Sequence, residues 1–197
     1  SYRWADVVLQ NNLETRQLWP QLLCRKPLVI GLQTWIRSVD GNRSVLQRLK
    51  LLALDAADQL IACSEAVRRD CISRAVVIGN PYNGELFRPL PGLPRQRAFA
   101  FLGRLVSDKG ADLLLRAFAS LQPTDWRLIL IGDGPERGAL ERLSASLGIQ
   151  NRVDFYGSLR GEPLVRLLNQ QEILVVPSRW REPFGVVALE GLACGCV

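Results

Sequence analysis

Four side chains fall where strand-to-helix loops would carry them, and together they could hold one anionic ligand rich in hydroxyls: Arg104, Lys109, Glu182 and Glu190. The segment Gly103-Arg104-Leu105-Val106-Ser107-Asp108-Lys109-Gly110 follows the apolar run Ala98–Leu102. Ser107 or Asp108 is suited to cap the next helix, which would put Lys109 in its first turn. A helix start disfavours a cation by roughly a few tenths of a kcal/mol, so a lysine there points to an anion between the two. Arg104 can converge on the same point, and an arginine with a lysine suits a diphosphate. Read alone, the loop is also explained as a glycine turn with two solvated cations.

The segment Glu182-Pro183-Phe184-Gly185-Val186-Val187-Ala188-Leu189-Glu190 follows the apolar run Ile173–Val176. Pro183 is placed to open a helix, so Glu182 is expected at its mouth, and the amides around Phe184, Gly185 and Val186 are donors able to hold a phosphate. Eight residues of helix separate the carboxylates by about 12 Å along the axis, the span of an extended ligand. An ionised carboxylate accepts from hydroxyls, so Glu182 could take a sugar and Glu190 a ribose. The alternative is a helix-start charge and an exposed helix residue. A third loop, Gly132-Asp133-Gly134-Pro135, has glycines that permit a tight turn and close backbone approach to a ligand, a pattern many strand-to-helix turns share.

Positioning these loops requires alternating strands and helices. Strands are predicted at Asp6–Gln10, Pro27–Leu32, Gln59–Cys63, Val76–Asn80, Ala98–Leu102, Arg127–Ile131, Val153–Tyr156 and Ile173–Val176. Helices are predicted at Leu13–Leu23, Ser44–Ala56, Glu65–Cys71, Ala111–Leu121, Glu136–Leu147, Pro163–Asn169 and Phe184–Ala193. That rhythm implies α/β architecture with parallel sheets covered on both faces. It breaks at Pro81–Arg97, where Pro81, Pro89, Pro91 and Pro94 join Gly84 and Gly92; a linker there divides residues 1–80 from 98–197.

The 197 residues are 48% hydrophobic and 22% charged, an ordinary globular composition. A net charge of +6 is compatible with nucleic acid, an anionic membrane or a phosphorylated small molecule, but the basic residues are scattered and aromatics are only 7%, which argues against nucleic acid. Neither a signal peptide nor a membrane-spanning run is visible. The five cysteines, irregularly spaced and without any histidine, read as reduced cytoplasmic thiols rather than a metal site. From Ser1 in place of Met and the abrupt end at Val197, the chain is expected to be the middle of a longer protein and not to catalyse alone. The apolar face of the Ser44–Ala56 helix, with Val45, Leu46, Leu49 and Leu52, fits packing on a sheet and leaves peripheral membrane contact open.

At these motifs the sequence resembles the GT4 family of glycosyltransferases. The stretch Asn80–Pro89 resembles that family's inter-domain segment. Phe101-Leu102-Gly103-Arg104 with Lys109-Gly110 resembles its diphosphate loop. Leu130–Pro135 and Phe155-Tyr156-Gly157 come in its order, and Glu182 with Glu190 matches its paired-glutamate motif. The resemblance implies the GT-B fold, two Rossmann-like doubly wound parallel-sheet domains, both incomplete here. It also implies a retaining, metal-independent enzyme that moves a sugar from a nucleotide-sugar donor to a sugar or lipid-linked acceptor, in glycan biosynthesis and without a cofactor. Arg104 and Lys109 would stabilise the departing diphosphate, Glu182 would hold the donor sugar, and Glu190 the ribose. Gly103, Gly132 and Gly134 would lie in the donor loops, and Tyr156 and Gly157 would border the base. The front-face displacement usually inferred for the family uses no fixed nucleophile. One departure is Gln33, at a position where many members carry a histidine near the transferred sugar. The absence of a third glycine after Gly132-Asp133-Gly134 argues against an NAD-dependent oxidoreductase. A sugar-nucleotide epimerase of the same fold and an inactive, ligand-binding relative are the remaining alternatives.

Overall fold

The computed structural model describes residues 4–14, 25–36, 50–52, 54–71, 74–121 and 125–197. The chain divides into two compact units, Ser1–Asn80 and Pro81–Val197. In the first, strands β1 (Val8–Asn11), β2 (Leu28–Leu32), β3 (Gln59–Ala62) and β4 (Val76–Val77) form a parallel sheet in that order. Helix α1 (Glu65–Cys71) follows β3, and the Ser64 hydroxyl accepts from the Val67 amide at 3.2 Å, satisfying one donor of its first turn. Leu28, Ile30, Leu32, Leu60 and Val67 are buried around this sheet. β4 is shorter than the expected Val76–Asn80, because after Ile78 donates to Ala62 O the chain runs through Gly79 toward Pro81, which has no amide to continue a ladder. From residue 15 onward the helix expected at Leu13–Leu23 lies outside the described residues, as do 44–49 of Ser44–Ala56. Within the latter, Leu54 is buried and Leu52 exposed.

The second unit contains β5 (Gln96–Leu102), β6 (Arg127–Ile131), β7 (Val153–Gly157) and β8 (Gln171–Leu174), all parallel, in the spatial order β7-β6-β5-β8. Its helices are α2 (Ala111–Ser120), α3 (Arg137–Ser146), α4 (Gly161–Asn169) and α5 (Val186–Ala193). Side chains alternate across a strand, and in β6 this distributes the core. Leu128 and Leu130 pack with Leu115 and Phe118 of α2 and Leu140 of α3, whereas Ile129 and Ile131 pack with Leu164 and Leu168 of α4 and Cys194. Both faces are therefore covered, as expected of a doubly wound sheet. Each fully buried side chain of this size contributes about 1.5–3 kcal/mol.

Two departures of the second unit from the sequence reading have a cause in buried polar side chains. β8 begins at Gln171 rather than Ile173; this glutamine is buried, with its side-chain Nε2 donating to Leu167 O at 2.8 Å, so a search for apolar runs passes over it. The proline-rich stretch read as a linker is bound to the second unit. Phe87 enters its core, Asn169 Oδ1 accepts from the Leu90 amide at 2.7 Å, and Asn169 Nδ2 donates to Arg88 O at 3.0 Å. Arg95 adds bonds to Gln171 O at 3.0 Å and Cys194 O at 2.9 Å. Strand β5 accordingly begins at Gln96, whose amide donates to Gln170 O, two residues before the expected Ala98.

Candidate functional site

Counted along the second unit, the spatial strand order is third, second, first, fourth, so the direction of winding reverses between β5 and β8. At such a switch point the loops leaving the carboxyl ends of adjacent strands diverge and leave a crevice, where open α/β sheets bind ligands. The loops concerned are those after β5, containing Arg104 and Lys109, and after β8, containing Glu182.

Lys109 and Glu182 meet there. The lysine Nζ donates to Glu182 Oε1 at 2.5 Å, and the Ser178 hydroxyl donates to the same oxygen at 2.8 Å. The side chains are 23% and 28% exposed, so the pair is partly shielded from water. Burial pushes the Glu182 carboxyl up, but the bonds from Lys109 and Ser178 outweigh it, and the group is held below its ordinary value.

The local backbone differs from expectation in a way that explains this meeting. Lys109 does not lie in the first turn of α2; it ends a separate 3-10 turn, Ser107–Lys109. Gly110 then takes the left-handed conformation at φ 70° and starts α2. Neither Ser107 nor Asp108 caps that helix, since neither turn nor helix has a side-chain cap. A Cβ at Gly110 would collide with Pro177 O, so only glycine lets the two loops approach this closely.

On the β8 side, Glu182 stands ahead of the helix, as expected, but four residues before its first position rather than two. Gly185, at φ 86°, precedes α5 and offers it no side-chain cap; the helix begins at Val186 rather than Phe184 because a left-handed residue cannot continue a right-handed turn. Phe184 thus precedes the helix, while Gly185 and Val186 form its uncapped start. Glu190, halfway along α5, is half-buried; its carboxylate has no partner among the described residues, and burial raises its pKa. A Cβ at Gly191 would strike the Leu174 side chain, so α5 rests directly on β8. Arg104 is exposed just beyond β5 and its side chain pairs with no described residue; no contact joins it to Lys109 or Glu182.

The glycines of the third loop serve a neighbour. A Cβ at Gly132 (φ 140°) would run into Gly103 O, and one at Gly134 into Leu105 O. The loops are also tied by Leu105 N donating to Asp133 O at 2.9 Å and Gly132 N to Gly157 O at 2.8 Å. The close approach read as one to a ligand is therefore loop against loop. It holds Gly103, Gly132 and Gly157 side by side at the carboxyl ends of β5, β6 and β7, with Tyr156 49% exposed beside them. Gln33 belongs to the first unit, where its amide donates to Asn12 Oδ1 at 2.8 Å.

Sequence reasoning missed Ser178, Arg179 and Asp112. Ser178 has a local signal, four residues before Glu182. Arg179 and Asp112 have none, because their ion pair at 2.7 Å joins positions far apart in the chain.

The Glycosyl transferases group 1 family matches residues 85–197, the whole of this site included. The D-inositol 3-phosphate glycosyltransferase of Mycolicibacterium smegmatis is 34% identical over 72% of this chain and 37% of its own length. The glycosyltransferase YqgM of Bacillus subtilis is 35% identical over 73% of this chain and 42% of its own. The chain spans less than half the length of these curated relatives. Among solved structures, Anabaena HepE in complex with UDP superposes with a TM-score of 0.81 at 26% identity, covering 95% of this chain and 58% of that one. The two parallel α/β units thus have the GT-B fold. Since the family match takes in more than half of its residues, the chain belongs to the glycosyl transferases group 1 family.

Proposed function

We propose that this protein is a retaining, metal-independent glycosyltransferase of the GT4 type, moving a sugar from a nucleoside-diphosphate sugar to an acceptor hydroxyl, with the donor seated at the β5–β8 switch point. The observation that carries this reading is the meeting of Lys109 and Glu182. One can bind a diphosphate oxygen and the other can accept from sugar hydroxyls, and both stand where a ligand would enter. Donor binding reassigns them: the ammonium turns to phosphate, and the released carboxylate takes the sugar.

As the bond between the sugar and the diphosphate breaks, negative charge grows on the leaving group. Lys109 and Arg104, whose side chain pairs with no described residue, stabilise it without any reorganisation of water. The uncapped start of α5 at Gly185 and Val186, beside Phe184, takes a phosphate oxygen. Glu190 accepts from the ribose hydroxyls, which supply the donors that its half-buried carboxylate lacks. Tyr156 and Gly157 border the base, and Gly103, Gly132 and Gly134 shape the wall beneath. The reading assigns no fixed nucleophile and no cofactor. The UDP complex of HepE supports UDP as the first nucleotide to test, and a relative named for phosphatidylinositol supports the lipid-linked choice among the sugar and lipid-linked acceptors. Free, buried Cys63, Cys194 and Cys196 support a cytoplasmic setting.

Offered UDP-, GDP- and ADP-sugars with a sugar acceptor, the full-length protein is expected to release one matching nucleoside diphosphate, and Glu182→Ala to abolish the release. Binding without turnover would indicate a ligand-binding relative, and binding of none of the three would refute the donor site.

A further inference from the structure

Three of the hydrogen bonds that fasten the loop after β8 to the β5 side of the crevice come from one residue, Arg179. Arg179 donates from its backbone amide to Asp108 O at 2.9 Å and from Nη1 to Ser107 O at 3.0 Å; its Nη2 pairs with Asp112 Oδ2 at 2.7 Å. The neighbouring Trp180 amide adds a longer bond to Asp108 O at 3.3 Å. These acceptors lie on both sides of Lys109 in sequence, two before it and one after, and none is Lys109 itself. Every one of the bonds therefore constrains the backbone that aims Lys109, while the lysine side chain stays available to Glu182.

The Arg179 side chain is 43% exposed, and that of Asp112 is 27% exposed. An exposed arginine that spends two nitrogens on one turn of backbone and one carboxylate contributes little as a surface ion pair. Its planar fork does, however, fix direction, because its donors have a set geometry that a lysine cannot reproduce. Asp112 lies in the first turn of α2, where the dipole favours its charge, so the anchor for the fork is itself held in place.

We infer that Arg179 is a positioning residue: by gripping Ser107 O and Asp112 it sets the 3-10 turn so that Lys109 faces Glu182. This deepens the donor-site reading and rests on it for its consequence, but the positioning can be tested without a donor. Lys109 is one of three lysines, with Lys26 and Lys50 as internal references. Amine acetylation under limiting reagent, followed by mass spectrometry, reports how freely each ammonium gives up its proton. Arg179→Ala is expected to speed acetylation of Lys109 about fivefold relative to Lys26 and Lys50, the scale of releasing a partly exposed ion pair. In UDP titrations, Arg179→Ala is expected to weaken binding in the wild-type background and to have no further effect in Lys109→Ala. Arg179→Lys is expected to fall between wild type and Arg179→Ala in both readouts.

An unchanged Lys109 rate in a folded Arg179→Ala protein overturns the inference. So does an Arg179→Ala penalty on binding that persists in full without Lys109. If Arg179→Ala does not fold, Arg179→Lys is judged by the same acetylation criterion. Failure of the wild-type protein to bind UDP, GDP or ADP would overturn the donor-site reading instead, while the acetylation rates still decide the role of Arg179.

Discussion

Replacing Glu182 with Gln separates the two tasks assigned to the ion pair. The substitution keeps the size of the side chain and an acceptor for the Ser178 hydroxyl, but removes the charge that holds Lys109. With the partners 23% and 28% exposed, the pair is worth on the order of 1 kcal/mol. A free nucleoside diphosphate must displace Glu182 to reach Lys109, so the variant is expected to bind UDP about fivefold more tightly. A nucleotide sugar also needs the charged acceptor for its hydroxyls, a bond worth about 1.5–3 kcal/mol, so transfer is expected to fall roughly tenfold to a hundredfold. Calorimetric titration with UDP and initial rates of diphosphate release would measure the two effects, which have opposite signs. The stability component has a pH signature. Because the folded pKa of Glu182 lies below its ordinary 4.5, the pair stabilises the fold above that pH and the benefit is lost as pH falls through the lower folded value. The difference in Tm between wild type and variant is therefore expected to be level from pH 5 to 8, a window set by that direction of shift, and to shrink below it. Weaker or unchanged UDP binding in a folded variant would refute the competition argument.

Other substitutions probe the remaining parts of the site. Burial raises the pKa of Glu190 above 4.5, so its ionised form costs stability once pH exceeds that value; Glu190→Gln is expected to raise Tm at pH 7 but not at pH 4, while weakening nucleotide binding. Gly110→Ala places a Cβ against Pro177 O at φ 70° and is expected to lose roughly 2–5 kcal/mol in urea unfolding, together with donor binding. Asn169→Ala leaves the Leu90 amide and Arg88 O without partners and is expected to cost about 1–3 kcal/mol by the same measurement.

Much of the second unit was legible in the sequence because its strands are apolar and its loops carry glycines. Arg127–Ile131 has the same bounds in sequence and structure, since every residue after Arg127 is buried on one face or the other. The helix starts were less legible. Lys109 is expected in the first turn of a helix but stands before it, and the helix after Glu182 starts two residues later than expected, because Gly110 and Gly185 adopt positive φ and postpone the first turn. A glycine's presence can be read from sequence, but whether it bends left depends on what it packs against, here Pro177 for Gly110. For the same reason Gly132 and Gly134 are legible as turn glycines, but their close approach to residues 103–105 is not. The grip of Arg179 on Ser107 and Asp112 was invisible, because only the reversal of strand order brings those loops together.

Hydrogen–deuterium exchange during titration with UDP, GDP or ADP tests most directly whether the switch point of the second unit is the donor site. Saturating nucleotide is predicted to protect peptides covering residues 103–110 and 178–190, with weaker protection at 132–137. Saturable binding that leaves those peptides unprotected would contradict the account.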